Sequence, residues 1–236
     1  MLIPSHRHKP EDLRLWEELE AGDHQADRKR LDRLACESID AITRFAASPC
    51  YISTSWGKDS VVTMHLCYLA GVIVPSVWVL FTGGGGMANP DCFAVRDAYL
   101  SSFPSEYHEL SFRRDDCLRD EHWMECNRRW GGRRITGIRG DESGSRSISA
   151  ATHGVRTDRT CRPILRWTTT DVFGYLATRN LPVHPAYAML GGGRWPREHL
   201  RCHSIGGKTA TGAGRAQWER EYYGDVLNKL AHSHPA

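Results

Sequence analysis

Residues 53–60 read STSWGKDS, a glycine and a lysine set among hydroxyls. The stretch follows PCYISTS (49–55), which predicts a short strand, and runs into DSVVTMHLCYLAGV (59–72), where Val62, Leu66 and Leu69 recur on one helical face. The order is therefore strand, glycine-containing turn, helix. Such a turn presents the free amides of a helix start and the positive end of its dipole, which together favour an anion. Gly57 permits close approach of the backbone to a ligand, Ser55 and Ser60 supply hydroxyls, and Lys58 supplies a point charge suited to phosphate. Asp59 is placed either to cap the helix or to help hold Mg2+. The plain alternative is a strand-to-helix turn with an exposed lysine.

Upstream, residues 12–48 read as a helical lead-in, clearest in RLDRLACESIDAITRFAAS (30–48) with its three- and four-residue apolar spacing. Downstream, VPSVWVLFTG (74–83) is a nearly continuous apolar run, as expected of a strand covered on both faces. FAVRDAYLSSF (93–103) predicts a helix, SEYHEL (105–110) a third strand, RRITGIRG (133–140) a fourth, and TTTDVFGYLATRN (168–180) a helix capped by Thr or Asp, with CRPILRW (161–167) leading into it by a turn. Alternating strands and helices predict a parallel α/β sheet with right-handed crossovers. GGGG (83–86) is either a linker or a substrate loop. The segment 191–236, with GGG, GGKTATGAG and the polar helix RAQWEREYYGDVLNKLA, reads as a lid or docking segment. A second candidate phosphate loop, CHSIGGKT (202–209), fails the G-x-x-x-x-G-K-T pattern because Cys202 stands where glycine is needed.

The 236 residues, 40% of them hydrophobic, suit one sizeable core, so a single domain over 1–236 is expected, with its core over 49–190. The formal charge is +3, but Arg113–Arg166 holds thirteen arginines against eight acidic residues, either a solvated face or a binding surface. No stretch reaches the length of a membrane span and the start lacks the apolar run of a signal peptide, so a cytoplasmic protein is expected. The eight cysteines are scattered without C-x-x-C spacing, which predicts reduced thiols and disfavours a zinc or iron–sulfur site; no metal-ligating residues are nominated. Cys36, Cys50 and Cys67 fall on apolar positions and are expected in the core.

SWGKDS resembles the S-G-G-x-D-S loop of the PP-loop ATP pyrophosphatases, and three more segments agree in order with the phosphoadenylylsulfate (PAPS) reductase-like branch of that family. VLFTGGGGMANPDCFAVRDAYLSSF (79–103) is similar to its aspartate-threonine-glycine strand end and following helix. TGIRGDESGSRS (136–147) resembles its glycine-x-arginine and glutamate-serine signature. CRPILRWTTTDVFGYLATRNLPVHPAY (161–187) resembles its proline–tryptophan–aspartate-valine stretch. The resemblance spans about residues 50–190. It implies a Rossmann-like parallel sheet flanked by helices, of the adenine nucleotide alpha hydrolase kind, that binds ATP with Mg2+. By position, it implies nucleotide contacts from Ser53, Ser55, Trp56, Gly57, Lys58, Asp59, Ser60, Thr82, Gly83, Gly137, Arg139 and Arg146, with Lys58, Asp59 and Arg139 catalytic.

Three departures qualify the resemblance. The second loop glycine is Trp56, so either no positive φ is needed there or the indole packs on the nucleotide or outside it. The strand-end aspartate is Phe81. The reductase tail, with its reactive cysteine, is replaced by KLAHSHPA (229–236), which argues against a sulfonucleotide reductase. The remaining chemistry is cleavage of ATP to AMP and pyrophosphate to activate a substrate for sulfur incorporation. Among families without that tail, the chain resembles the ATP pyrophosphatases of bacterial DNA phosphorothioation systems, which would make DNA, a cysteine desulfurase and further sulfur-modification subunits the partners; a homodimer is compatible with this. Cys161 and Cys202, near positive charge, are candidates for relaying sulfur. A sulfate-activating enzyme such as the ATP sulfurylase small subunit, and a nucleotide sensor without turnover, are the alternatives.

Overall fold

Tyr51–Thr54 (β1) is the middle strand of a five-stranded parallel sheet, with Ser76–Thr82 (β2) and Tyr107–Arg113 (β3) to one side and Arg134–Thr136 (β4) and Thr160–Cys161 (β5) to the other, in the order β3-β2-β1-β4-β5. The computed structural model describes residues 1–82, 86–113, 121–202, 204–206 and 214–233. The expected parallel sheet flanked by helices is what it shows. Successive strands are laid outward from β1 to β3, and the chain then returns across β1 to add β4. That reversal leaves a crevice beyond the carboxyl ends of β1 and β4, where such sheets hold ligands.

Alternation along the strands divides the core in two. Ile52, Trp78, Leu80 and Ile135 enter the larger layer, which takes in Arg28–Ala46 (α2), Lys58–Leu69 (α3), Asp91–Ser102 (α4) and Thr169–Thr178 (α7). Tyr51, Val77 and Leu110 point the other way, onto Cys126 of Glu121–Trp130 (α5). The near-continuous apolar sequence of β2 thus serves both faces. Gly144–His153 (α6) follows β4, and Thr168 caps α7 through a reciprocal pairing with Asp171.

Several local readings change. The lead-in is two helices, Pro10–Asp23 (α1) and α2, because Asp27 turns the chain and caps α2 by accepting from the Arg30 amide at 3.1 Å. CRPILRW begins inside a strand. Helices α5 and α6 carry too few apolar positions to announce themselves; only Cys126 of α5 is buried. Cys36 is exposed, unlike Cys50 and Cys67. In the 191–236 segment, Arg215–Tyr222 (α8) and Gly224–Ser233 (α9) are joined at Tyr223, which with Trp218 and Tyr222 is buried in the larger core, and Tyr222 Oη donates to the buried Asp12 of α1. Gly83 lies outside the described residues, as do Cys117 and His203. Among the described residues no helix is long and apolar enough to cross a membrane.

Two buried histidines make this core sensitive to acid. His65 Nδ1 meets Tyr175 Oη at 3.0 Å, and His184 accepts from the Ala186 amide at Nδ1, which leaves its Nε2 facing Cys92 Sγ at 3.4 Å. Burial lowers His65 to about 4 and His184 to about 3. Both are neutral when folded, whereas the unfolded chain protonates them below about pH 6.5. Their contribution is present above that pH and lost as pH falls toward 4 and 3. Urea unfolding at pH 4.5 should show about 2–3 kcal/mol less stability per histidine than at pH 7, at about 1.4 kcal/mol per unit. His65→Gln should flatten that slope by one proton, and an unchanged slope would contradict the assignment.

Candidate functional site

The loop after β1 opens onto a cavity of about 280 Å3 at the crevice. Its near wall is Ser55, Gly57, Lys58, Asp59 and Ser60. Gly57 precedes α3 in an extended conformation with no side chain to cap the helix, so the first amides of α3 depend on something outside the helix. The Lys58 amide donates to Tyr187 Oη at 3.2 Å, and the loop is pinned from within by Ser60 Oγ, which accepts from the Ser55 amide at 3.0 Å and meets Ser55 Oγ at 2.9 Å. A Cβ on residue 57 would lie 3.3 Å from Tyr187 Oη and 3.8 Å from Cys202 Sγ, so Gly57 keeps room at the mouth.

Trp56 keeps a backbone φ of +59°, the left-handed conformation that glycine would supply. Of the two alternatives, the absence of a positive φ is therefore ruled out. The indole is fully buried and turned away from the cavity, 5.4 Å from the Tyr107 ring and 5.9 Å from the Tyr99 ring, with Nε1 donating to Tyr107 Oη at 3.4 Å. Its side chain leaves the loop's ligand side open. As a nucleotide contact through its side chain, Trp56 is corrected.

A buried relay of charges stands behind the loop. Lys58, 1% exposed, donates to Asp59 Oδ2 at 2.9 Å and lies over the Tyr187 ring; Asp59 Oδ1 accepts from Arg139 Nε at 2.7 Å. Arg139, also 1% exposed, further donates to Asp141 at 2.5 Å and Thr169 Oγ1 at 3.0 Å. Burial lowers the Lys58 pKa and Asp59 opposes the shift. Arg139 does not border the cavity: it grips Asp59, and through it the lysine, so its predicted phosphate contact is corrected to a positioning role. Gly137 is required for this closeness, since a Cβ there would meet the Asp59 carbonyl at 2.7 Å.

The far wall carries Glu142, Arg146 and Arg201. Glu142 pairs with Arg146, accepts from the Arg139 amide and stands 3.9 Å from Arg201. Burial and the neighbouring Arg201 lower the Arg146 pKa. The floor is Ser53 and Thr136, register neighbours on β1 and β4, and the end under α5 is Trp123 and Arg134. Thr82, exposed at the end of β2, does not reach the cavity. Cys161 is buried on β5 with Sγ against Ala41 O, away from the cavity, and burial pushes its thiol up to about 12, which removes it as a sulfur relay. Cys202 does border the cavity, although burial also holds its thiol up at about 12.

Sequence reasoning missed Tyr187, Arg201, Trp123, Arg134, Thr136 and Glu142. Tyr187 and Glu142 stood inside quoted motifs, the tyrosine ending LPVHPAY and the glutamate following GIRG. Arg201 and Trp123 lie in segments that carry no pattern.

Residues 129–213 match the family model described as the phosphoadenosine phosphosulfate reductase domain, a span that includes Arg139, Arg146, Tyr187 and Cys202 but not the 53–60 loop. Comparison with curated proteins finds no match. Among solved structures, the chain is similar to the phosphoadenylyl-sulfate reductase of Candida auris in a phosphate complex (13% identity, 67% of this chain and 89% of that one, TM-score 0.48). It is also similar to the U34-tRNA thiolase of Methanococcus maripaludis with its 4Fe-4S cluster (12%, 86% and 75%, TM-score 0.49). A third is the NH3-dependent NAD synthetase of Campylobacter jejuni (12%, 87% and 88%, TM-score 0.45).

Proposed function

We propose that this protein is an ATP pyrophosphatase, cleaving ATP to AMP and pyrophosphate to adenylylate a substrate for sulfur incorporation. The observation that carries the reading is the α3 N-terminus facing the crevice with Lys58, Ser55 and Ser60 around it. Lys58 has three donors and Asp59 takes one, leaving two for the β and γ phosphates. Amides and a fixed cation there stabilise the charge that grows on a departing pyrophosphate without reorganising at the moment of reaction. Arg146 and Arg201 across the cavity would hold the other side of the triphosphate.

Among the described residues that line the cavity, the carboxylates are already paired and form no dedicated Mg2+ site. Asp59 has both oxygens paired to Lys58 and Arg139, and Glu142 is paired to Arg146. What the described residues bring to the cavity is cations and amides.

The acceptor we favour is the DNA backbone, as in phosphorothioate modification, with a cysteine desulfurase and partner subunits delivering sulfur, and with Cys202 as the cysteine placed to relay it. Exposed Arg156, Arg159 and Arg166 support a polyanion. The rest of the arginine-rich stretch supports it less, because Arg128 and Arg129 pair with Glu125 and Arg133 binds the Phe45, Ser48 and Asp158 carbonyls. The match over residues 129–213 favours sulfonucleotide chemistry as the second reading.

ATP labelled at the α position should yield labelled AMP with pyrophosphate, and ADP with phosphate would overturn the proposal. Turnover stimulated by DNA and partner proteins would support the DNA acceptor. Stimulation by sulfate instead would select the second reading.

A further inference from the structure

The end of the cavity under α5 holds an aromatic side chain that stands outside both core layers, its ring 4.6 Å from that of the neighbouring His122. Trp123 belongs to neither core layer, yet it lines the cavity, and the Arg134 guanidinium lies 4.3 Å from its ring centroid. Arg134 begins β4, and two residues along the same face stands Thr136, roughly 6 to 7 Å further toward the loop. Thr136 Oγ1 is buried, lines the same cavity and has no hydrogen-bond partner among the described residues. Ser53 stands beside it on β1. A flat cation–π wall, then an unsatisfied hydroxyl, then an anion-binding loop, in that order along one cavity, matches the order of parts in a nucleotide: base, sugar, phosphates.

We infer that the Trp123–Arg134 wall is the base subsite, where a nucleobase stacks against the indole and guanidinium while Thr136 and Ser53 meet the polar groups between base and phosphate. The inference rests on the proposal that the 53–60 loop holds phosphates. Stacking reads a π face rather than a hydrogen-bond pattern, so Trp123 and Arg134 give affinity for the nucleoside part, and a buried Thr136 hydroxyl left without a partner adds a polar requirement.

AMP and inorganic pyrophosphate are titrated separately into the wild type, Trp123→Ala, Trp123→Phe and Thr136→Val. Trp123→Ala should weaken AMP roughly 5- to 150-fold, the range for losing one base–aromatic stack, and leave pyrophosphate unchanged. Trp123→Phe should recover most of the loss, and Thr136→Val should cost AMP alone several-fold. AMP should also quench tryptophan fluorescence in the wild type more than in Trp123→Phe, a readout that needs no alanine variant to fold. AMP affinity within twofold of wild type in a folded Trp123→Ala, equal quenching in Trp123→Phe, or failure of the wild type to bind AMP would each overturn the inference. AMP binding that depends on Trp123 without any pyrophosphate binding would instead overturn the phosphate-loop reading and leave the base subsite standing.

Discussion

Arg139→Ala is expected to destabilise the protein by about 3–5 kcal/mol, because removing one member of a buried ion-pair network leaves the other charges uncompensated. The guanidinium joins Asp59, Asp141 and Thr169 at 2.7, 2.5 and 3.0 Å. Asp141 is exposed enough to recover water, so most of the cost falls on Asp59 and on the space left behind. Asp59 would then hold Lys58 without a fixed position of its own, and catalysis should fall with stability. Arg139→Lys supplies one charge without the planar fork and should recover only part of both. Urea unfolding beside AMP formation decides the matter. A large loss of activity with stability unchanged would put the guanidinium on the ligand.

Lys58→Met should act in the opposite way on the two measurements. Lys58 lines the cavity beside the loop hydroxyls, and losing one preorganised group of this kind costs about 100- to 1000-fold in turnover. Yet the lysine is nearly fully buried and burial already lowers its pKa, so carrying its charge costs the unliganded fold something. Methionine fills most of the same volume without that cost. We expect equal or greater thermal stability together with AMP formation reduced by at least 100-fold. Turnover within tenfold of wild type would remove the loop from the mechanism.

The chain's local patterns announced the loop, β1, β2 and α3 because apolar periodicity and the glycine turn coincide there. They did not announce α5 or β5, since an amphipathic helix with one buried residue and a two-residue edge strand carry almost no periodic signal. Site residues behaved likewise. Ser55, Gly57 and Lys58 are neighbours in sequence and so were legible together. Trp123, Arg134 and Arg201 come from separate elements and meet only when β4 is laid beside β1. Arg139 was legible as important but not as to direction: a strand-end arginine faces the crevice or is drawn under its wall depending on which carboxylates it meets, and Asp59 and Asp141 hold it out of the cavity lining.

Trp56 gives the loop a property beyond its open face. Its strained backbone is held by an indole wedged between Tyr99 of α4 and Tyr107 of β3, so the turn cannot relax unless that aromatic plug leaves the interior. The loop should therefore open only in the same cooperative event that opens the sheet edge, with amide exchange as slow as that of the strands around it rather than that of an ordinary surface turn. A ligand arriving there would meet a seat that is already set and would give up little binding energy to ordering it.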